Sequence, residues 1–374
     1  MKRPAIVHVS GDFPSPFGES KTPVVRSLVE LVADRFDQRA IALDRVWPGR
    51  FEEQTFGSGT ALRYPAPPFG ILHWTMLERL GERITGIVGR GAKPDLVVGH
   101  KLTIEGPVVA KVSRLLDVPY AVTIQGNTDC KILAARPDLR RRLAQVYHEA
   151  TVIFALAPWT IAAVERRLGK RDGSVVLLPA PTDLDAPLHP APGDGTLVTA
   201  FHLEGWRTKN LAGMAAALRG LKNAAPRLEV IGGGSDAITT RVRRAAAGAP
   251  TIAFAGPMGR AALRERLHRG TGLVLPSLRE SFGLVFVEAL FAGLPIVYPT
   301  GAAVDGWFDG LPFAIRVDPR DPAAIGDAML RLIREEAALK VALADWLSSD
   351  SARRFTRPAI GNAFAQGLRA ALAQ

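Results

Sequence analysis

Cysteine is nearly absent from this sequence of 374 residues, which contains only Cys130. One cysteine excludes an internal disulfide and is typical of a reducing compartment. Long apolar runs are absent too, because none approaches the roughly 18–20 residues needed to cross a bilayer. The first apolar run, in MKRPAIVHVSGDFP, ends too early for a secretory signal and is typical of a buried strand. The sequence therefore predicts a cytoplasmic protein, and its 47% hydrophobic content is sufficient for a large core.

Acidic residues are in short supply as well. The 36 Asp and Glu residues stand against 47 Lys and Arg residues, which gives a formal net charge of +11. Such a charge predicts attraction to an anionic partner, whether nucleic acid, a membrane surface or a phosphorylated substrate. A nucleic-acid partner is the weakest of the three, because the sequence has neither a strand pattern of interleaved aromatic and basic residues nor a recognition helix.

Short apolar runs alternate with longer helical patterns in the first half of the chain. They are continuous rather than alternating, which is typical of parallel strands that are buried on both faces. Repeated strand–helix units predict an α/β fold with a doubly wound sheet. The runs in this half cover residues 5–10, 95–100, 120–126, 151–156 and 174–179.

A stretch rich in Pro, Asp and Gly, PAPTDLDAPLHPAPGDG, interrupts this pattern at residues 179–195 and is typical of a linker. The alternation then resumes, with runs at 196–201, 228–234, 251–256, 272–277, 294–299 and 313–318. We therefore expect a first domain over 1–182, a linker over 183–195, a second domain over 196–350, and a closing helix within 351–374 that could cross back to the first domain. Ligands bind at the carboxyl ends of parallel strands, so the site is expected in a cleft between the domains.

The stretch PSLRESFGLVFVEALFAGLPIVYP places two carboxylates in apolar surroundings. From Leu284 to Ala292 every residue except Glu288 is Leu, Val, Phe or Ala, so a helix here is expected to be packed on all sides. Burying an ionised carboxylate without a partner costs several kcal/mol, roughly, so Glu288 pairs with an internal Arg, becomes neutral, or faces a cleft that a polar ligand fills. Glu280 precedes a Ser-Phe-Gly turn; it either caps the helix or lies where free N–H groups attract an anion.

The pattern P-S-x-x-E-S-F-G-L-x-x-x-E-A-x-x-x-G-x-P-I-V in this stretch resembles the retaining glycosyltransferases of family four, which have the GT-B architecture. The resemblance covers nearly the whole chain. Near its start, VHVSGDFPSPFGES is similar to the family's first strand and glycine-containing loop. LEVIGGGSD and FAGPM resemble the strand ends that line its nucleotide pocket. It implies two Rossmann-like domains whose parallel sheets face a central cleft. It also implies a nucleoside-diphosphate sugar as donor, with no metal or other cofactor required.

The resemblance implies a donor site in which Glu280 faces the sugar and Glu288 accepts hydrogen bonds from the ribose hydroxyls. Backbone amides at the helix start would bind the sugar or the distal phosphate. Gly18 would let the backbone of the first loop approach the phosphates, and Met258 would lie near the base. The donor-binding residues implied in this way are Gly18, Gln125, Met258, Ser281, Phe282, Gly283, Leu284 and Glu288.

Arg207 and Lys209, in EGWRTKN, resemble the basic pair that neutralises the leaving diphosphate in this family; alternatively they are two solvated loop charges. With Glu280 they form the implied catalytic set. The family carries an Arg directly after the preceding strand, where this chain has His202. Gln125 stands where many relatives have a His beside the acceptor, and Gln cannot act as a base. His100 either approaches the site from a strand end or has a structural role.

The acceptor is expected on the first domain. PAPPFGILHWTMLERLGERI contains an apolar group that includes Trp74, and RPDLRRRLAQ contains Arg140 and Arg141. An apolar patch beside a basic helix predicts peripheral contact with the anionic inner face of a membrane. The alternative is that the apolar group packs against the sheet and the Arg run is a solvated face.

The leading hypothesis from the sequence is transfer of a hexose from a nucleotide sugar to a glycan or polyprenyl-linked glycan in cell-surface polysaccharide biosynthesis. A nucleotide-sugar epimerase or hydrolase with the same donor site is the alternative. A basic nucleic-acid-binding protein is a third reading. It accounts for the net charge but not for a carboxylate in an apolar helix.

Overall fold

The computed structural model describes residues 3–18, 22–57 and 59–373. The chain forms two compact units. The first comprises Met1–Pro181 together with Arg357–Gln374, and the second comprises Thr182–Thr356. Among the helices of the described residues, none has both the length and the apolar character needed to span a membrane.

The first unit contains a sheet in the order β3-β4-β2-β1-β5-β6-β7-β8. Neighbouring strands run parallel except for the antiparallel pair β3–β4. Residues in the central strands β1, β5, β6 and β7 are almost entirely buried, as expected of apolar runs covered on both faces. The strands are β1 (Ala5–Ser10), β2 (Asp37–Val46), β3 (Glu52–Phe56), β4 (Gly59–Pro65), β5 (Leu96–Gly99), β6 (Tyr120–Ile124), β7 (Val152–Ala155) and β8 (Ser174–Leu177).

Helices cover this sheet and form a large apolar core with it. Helix α2 presents Leu77, Leu80, Ile84 and Val88 at helical spacing to that core, while its other positions, apart from buried Gly81, are half-buried or exposed. The helices in this part of the chain are α1 (Val24–Glu30), α2 (His73–Val88), α3 (Glu105–Leu116), α4 (Asn127–Ala135), α5 (Arg140–Glu149) and α6 (Pro158–Leu168).

The second unit contains a parallel sheet in the order β11-β10-β9-β12-β13-β14. Its strands are β9 (Thr196–Ala200), β10 (Arg227–Ile231), β11 (Ile252–Gly256), β12 (Gly272–Val274), β13 (Ile296–Pro299) and β14 (Ala314–Val317). Its helices are α7 (Leu211–Leu221), α8 (Asp236–Ala245), α9 (Arg260–Arg269), α10 (Leu284–Phe291), α11 (Pro322–Arg334), α12 (Glu336–Leu347) and α13 (Asp350–Arg353). The two sheets with alternating helices confirm the predicted α/β class.

The last helix, α14 (Arg357–Leu372), belongs to the first unit. Its Phe364 ring meets Phe154 of β7 edge to face, with centroids 5.0 Å apart. A Cβ at Gly367 would lie 2.3 Å from a ring carbon of Phe154, so glycine lets the helix approach the sheet closely at this position. The C-terminal segment therefore completes the core of the unit that begins the chain.

Candidate functional site

In the second unit, the loop after β9 is fixed against the segment after β12. Asn210 adopts a left-handed backbone with φ of 63°, and its side-chain amide donates to the carbonyls of Pro276 and Pro319 at 3.0 and 2.6 Å. The Leu278 amide donates to the carbonyl of Thr208 at 2.8 Å. These bonds place both segments at the carboxyl edge of the sheet, where parallel α/β sheets bind ligands.

Lys209 and Glu280, which the sequence assigns to catalysis, form an ion pair between these two segments. Both side chains are largely buried, so the pair is less screened than a surface salt bridge. The backbone carbonyl of Glu280 accepts a bond from the Ala303 amide at 3.1 Å. Arg207 differs, because its side chain is exposed and its guanidinium lies over the Trp206 ring, 4.5 Å from the centroid.

The start of helix α10 is open. Its N-cap residue is Gly283, and no side chain of the described residues caps its first turn, so the alternative that Glu280 caps this helix is wrong. Gly283 has φ of 76°, and a Cβ there would lie 2.7 Å from the Phe286 ring. Ser281 and Leu284 are half-buried and Phe282 is buried. Uncapped N–H groups at a helix start are free to donate hydrogen bonds to an anion.

Glu288 lies one turn into this helix. Its Oε1 accepts a hydrogen bond from the hydroxyl of Thr182 at 2.7 Å. Burial raises the pKa of Glu288, while the Thr182 bond and the positive charge of Arg260 oppose that shift. Arg260 itself pairs with Asp183 at 2.7 Å. The direct partner of Glu288 is thus a hydroxyl, and the alternative of an internal Arg pair is wrong.

Glycines also shape the end of β10. Gly232 has φ of 155°, and a Cβ there would lie 1.9 Å from the carbonyl oxygen of Phe201, so only glycine fits. The Leu203 amide donates to the carbonyl of Gly233 at 2.9 Å, which holds the ends of β9 and β10 together. Met258 is half-buried in the loop between β11 and α9, two residues before Arg260.

Two residues of the implied donor set lie in the first unit. Gly18 is exposed in a turn, where its amide donates to the Ser15 carbonyl at 3.3 Å, and a Cβ there would lie 3.8 Å from the Asp44 carboxylate. Among the described residues, no closer contact calls for glycine at that position. Gln125 is buried at the end of β6, and its backbone amide donates to Asp129 Oδ2 at 3.3 Å.

A polar cluster that the sequence reasoning missed lies at the carboxyl ends of β1, β5 and β6. Lys101 Nζ is 2.5 Å from Asp12 Oδ2, and Asp129 accepts bonds from both the amide and the hydroxyl of Thr103, each at 2.9 Å. The sequence could have indicated Asp12 and Lys101, because each charged residue follows the end of a predicted strand within two residues. We call Asp12, Lys101, Glu105 and Asp129 the strand-end cluster.

Glu105 is the least satisfied member of this cluster. Its Oε1 accepts a bond from the Gly11 amide at 2.8 Å, but Oε2 is buried with no hydrogen-bond partner among the described residues. Burial raises the pKa of Glu105 to about 7, against the opposing positive charge of Lys101. A buried carboxyl group with a raised pKa beside a lysine is a candidate functional group.

His100 is fully buried and pairs with a second histidine. Its Nε2 lies 3.1 Å from Nδ1 of His8, and His8 Nε2 lies 3.0 Å from the side-chain oxygen of Gln38. Burial lowers the pKa of both rings, that of His8 to about 4. Of the two alternatives for His100, a place in the site or a structural role, burial and the pairing with His8 favour the structural role.

The apolar group proposed for the acceptor side divides into two sets. Trp74 is half-buried against the core, and Arg142 lies over its ring at 5.2 Å. Arg140 donates to the Leu133 carbonyl at 3.2 Å, whereas Arg141 is exposed. The exposed set, on the loop before α2, consists of Phe69, Ile71 and Leu72.

The described residues contain no group of three His, Cys, Asp or Glu side chains that could hold a metal ion. Two carboxylates at the strand ends pair with lysines, Glu280 with Lys209 and Asp12 with Lys101. The open helix terminus and the half-buried carboxylate of Glu288 are suited to a ligand that carries both an anion and hydroxyl groups.

Two family models match most of the chain. Residues 22–181 match the one described as "Glycosyl transferase 4-like domain", and residues 196–335 match "Glycosyl transferases group 1". A D-inositol 3-phosphate glycosyltransferase from Acidothermus cellulolyticus is 32% identical over 290 residues, which cover 74% of this chain. The match covers 57% of that relative, so this chain spans little more than half of its length.

Solved structures share the fold over nearly the whole chain. A sucrose-phosphate synthase from Thermosynechococcus elongatus has a TM-score of 0.73 at 18% identity, and 98% of each chain is covered. An α,α-trehalose-phosphate synthase (UDP-forming) from Burkholderia xenovorans, in complex with glucose-6-phosphate, has a TM-score of 0.69 at 13% identity. That match covers 98% of this chain and 100% of the other.

Proposed function

This chain belongs to the family-four glycosyltransferases with the GT-B fold, and we propose that it transfers a sugar from a nucleoside-diphosphate sugar to an acceptor hydroxyl with retention of configuration. The observation that carries the proposal is Glu288, a carboxylate in an apolar helix whose direct partner is one hydroxyl. Ribose hydroxyls are suitable further donors to that carboxylate, because charged hydrogen bonds offset the cost of its burial.

The anionic part of the donor is proposed to bind at the start of helix α10. The uncapped amides around Gly283 and the positive end of the helix dipole favour a phosphate group there. Lys209 supplies a positive charge on the adjoining loop, and its pairing with Glu280 holds it at the strand ends. Arg207 is exposed and stacked on Trp206, so we assign it the smaller contribution.

The proposed reaction breaks the bond between the anomeric carbon and the diphosphate oxygen and forms a bond from that carbon to the acceptor oxygen. Negative charge develops on the departing diphosphate, which Lys209 and the helix amides stabilise. The acceptor proton passes to the departing phosphate oxygen on the same face of the sugar. No side-chain base is assigned, because Gln125, at the position where many relatives carry a His, cannot act as one.

A phosphorylated sugar or inositol phosphate is the acceptor class that we propose first. The A. cellulolyticus relative is named for D-inositol 3-phosphate, and the B. xenovorans structure contains glucose-6-phosphate. The strand-end cluster supports this choice, because Lys101 offers positive charge and Oε2 of Glu105, which has no partner among the described residues, offers an acceptor for a hydroxyl group. These names favour small phosphorylated acceptors over the cell-surface polysaccharide expected from the sequence, so a lipid-linked glycan becomes the second candidate.

The proposal is tested by measuring nucleoside-diphosphate release from UDP-, GDP- and ADP-linked hexoses. Each donor is assayed with inositol 3-phosphate, with glucose 6-phosphate and without acceptor, and products are assigned by proton NMR. We expect release that depends on acceptor and a product with the donor's anomeric configuration. Free sugar formed equally without acceptor would indicate a hydrolase, and a 2-epimer would indicate an epimerase. Either result, or no turnover of any donor, would contradict the proposal.

A further inference from the structure

The loop before helix α2 exposes three large apolar side chains together. Phe69 is 95% exposed, Ile71 58% and Leu72 60%. We call these three residues the apolar tip. Isolated exposed apolar residues are ordinary on protein surfaces, but a contiguous group of this size usually marks a contact surface.

The backbone holds the apolar tip outward. Phe69 and Leu72 have φ of 58° and 53°, in the left-handed region that bulky side chains seldom adopt. The loop is fixed on both sides of Phe69, because Arg136 donates to the Gly70 carbonyl at 2.6 Å and Arg45 Nε to the Ala66 carbonyl at 3.1 Å. Strain at residues without a packing role is typical of functional segments.

Basic residues lie beside the apolar tip. Arg136 contacts the loop directly, and the first three residues of α5 are Arg140, Arg141 and Arg142. Arg142 lies over the ring of Trp74, which follows the tip by two residues, so α5 and the tip are neighbours. We call these four residues the basic collar. Arg136 is neutralised by its ion pair with Asp138. The positive charge of the basic collar therefore comes from the three arginines of α5, for which the described residues show no ion pair.

We propose that the apolar tip inserts into the interface of an anionic membrane while the basic collar contacts lipid phosphates. The tip is exposed and apolar, with positive charge beside it, which complements a surface that combines acyl chains and anionic headgroups. The net charge of +11 adds long-range attraction to such a surface. The contacts behind this inference all lie in the first unit, and the inference does not depend on the proposed transfer reaction.

Docking by this loop would bring the strand-end cluster to the membrane surface. His73, the first residue of α2, has its Nε2 3.2 Å from the Thr103 carbonyl, and Thr103 in turn binds Asp129. The apolar tip therefore lies at the same edge of the sheet as the cluster. An acceptor whose phosphate and hydroxyl groups are displayed on a membrane would meet both.

The test is flotation of the full-length protein with phosphatidylcholine vesicles that contain or lack phosphatidylserine. The variants Phe69→Gly and Leu72→Asn remove apolar surface with residues that tolerate positive φ, so neither is expected to lower the melting temperature. Arg141→Glu reverses one exposed charge of the collar. Val341→Ser is the matched control, because Val341 is 64% exposed in the second unit.

We expect the wild type to bind vesicles that contain phosphatidylserine at least tenfold more strongly than vesicles of phosphatidylcholine alone. Binding to the phosphatidylserine vesicles should weaken as the salt concentration is raised. Phe69→Gly, Leu72→Asn and Arg141→Glu should each reduce it at least threefold, and Val341→Ser should not change it. Vesicle binding that is absent, or equal for wild type and Phe69→Gly, would overturn the proposal. So would self-association of the wild type that Phe69→Gly abolishes, because the tip would then be a contact between copies of the chain.

Discussion

The hydroxyl of Thr182 lies 2.7 Å from Oε1 of Glu288, joining the first residue of the second unit to the one acidic side chain of helix α10. A single neutral hydroxyl is a weak partner for a carboxylate, and burial accordingly raises the pKa of Glu288. The arrangement is suited to a polar ligand that completes the hydrogen bonding of the carboxylate. The donor site proposed above depends on this relationship.

The charge of Lys209 should matter more than that of Arg207. Replacing Lys209 with Met removes the ammonium that is held at the strand ends by Glu280, and we expect kcat/KM for the donor to fall by about 100-fold. Arg207→Met should have a smaller effect, because that side chain is exposed. Lys222→Met, at an exposed lysine of the same unit, is the control. Wild-type kcat/KM in Lys209→Met would contradict the assignment.

The start of helix α10 should not tolerate a side chain at Gly283. Alanine there has to adopt φ of 76° and places its Cβ 2.7 Å from the Phe286 ring, so we expect a loss of about 1–3 kcal/mol in stability. Scanning calorimetry should show a lower melting temperature. Gly220→Ala is the comparison, because Gly220 lies in helix α7, where an added Cβ would have no atom of the described residues within 4 Å beyond its chain neighbours and the backbone of its own helix. It should raise the melting temperature slightly, and equal effects of the two variants would contradict the account.

The buried carboxyl of Glu105 should make stability depend on pH. Its pKa is raised from 4.5 to about 7 in the folded chain, so the folded state retains a proton that the unfolded state has lost. The free energy of unfolding should therefore decrease as pH rises from about 4.5 to about 7. Glu105→Gln cannot titrate and can still accept the Gly11 bond through its amide oxygen.

As pH rises through this range, the free energy of unfolding of Glu105→Gln should increase relative to that of the wild type by on the order of 3 kcal/mol. Melting temperatures of both proteins at pH 5 and pH 8 provide the measurement. The His8 and His100 rings, whose pKa values are lowered by burial, titrate equally in both proteins and cancel in the difference. A difference in melting temperature that is constant between the two pH values would contradict a buried carboxyl that titrates there.

Lys101 should contribute to acceptor binding and not to donor binding. We expect Lys101→Met to raise KM for a phosphorylated acceptor at least tenfold, because the variant lacks the ammonium beside Asp12. The dissociation constant of the nucleoside diphosphate should be unchanged. Lys131→Met, at an exposed lysine of helix α4, is the matched control. An unchanged acceptor KM would remove the strand-end cluster from the acceptor site.

The sequence was sufficient to predict the strands of the second sheet and β1, β5, β6, β7 and β8 of the first, because these parallel strands appear as continuous apolar runs. It did not predict β2, β3 and β4, whose apolar residues are mixed with charged ones: β3 contains two glutamates, and β2 contains two aspartates and two arginines. These strands form one side of the sheet, where β3 is partly exposed and does not require a continuous apolar pattern.

Site contacts across long sequence separations were harder to predict than site residues. The spacing of Glu280 and Glu288 was visible in the sequence, but the partners Lys209 and Thr182 lie 71 and 106 residues away. Only the fold brings such residues together. Composition likewise could not separate exposed Phe69 from half-buried Trp74, because a loop with two left-handed residues determines which side chain points outward.

The central claim, that helix α10 binds the nucleotide of a sugar donor through Glu288, is tested most directly by isothermal titration calorimetry with UDP, GDP and ADP. Wild type and Glu288→Ala are compared, and their melting temperatures serve as the check on folding. We predict that wild type binds at least one nucleotide and that Glu288→Ala binds it at least tenfold more weakly, with its fold intact. Equal affinity in the two proteins, or no nucleotide binding by wild type, would contradict the account.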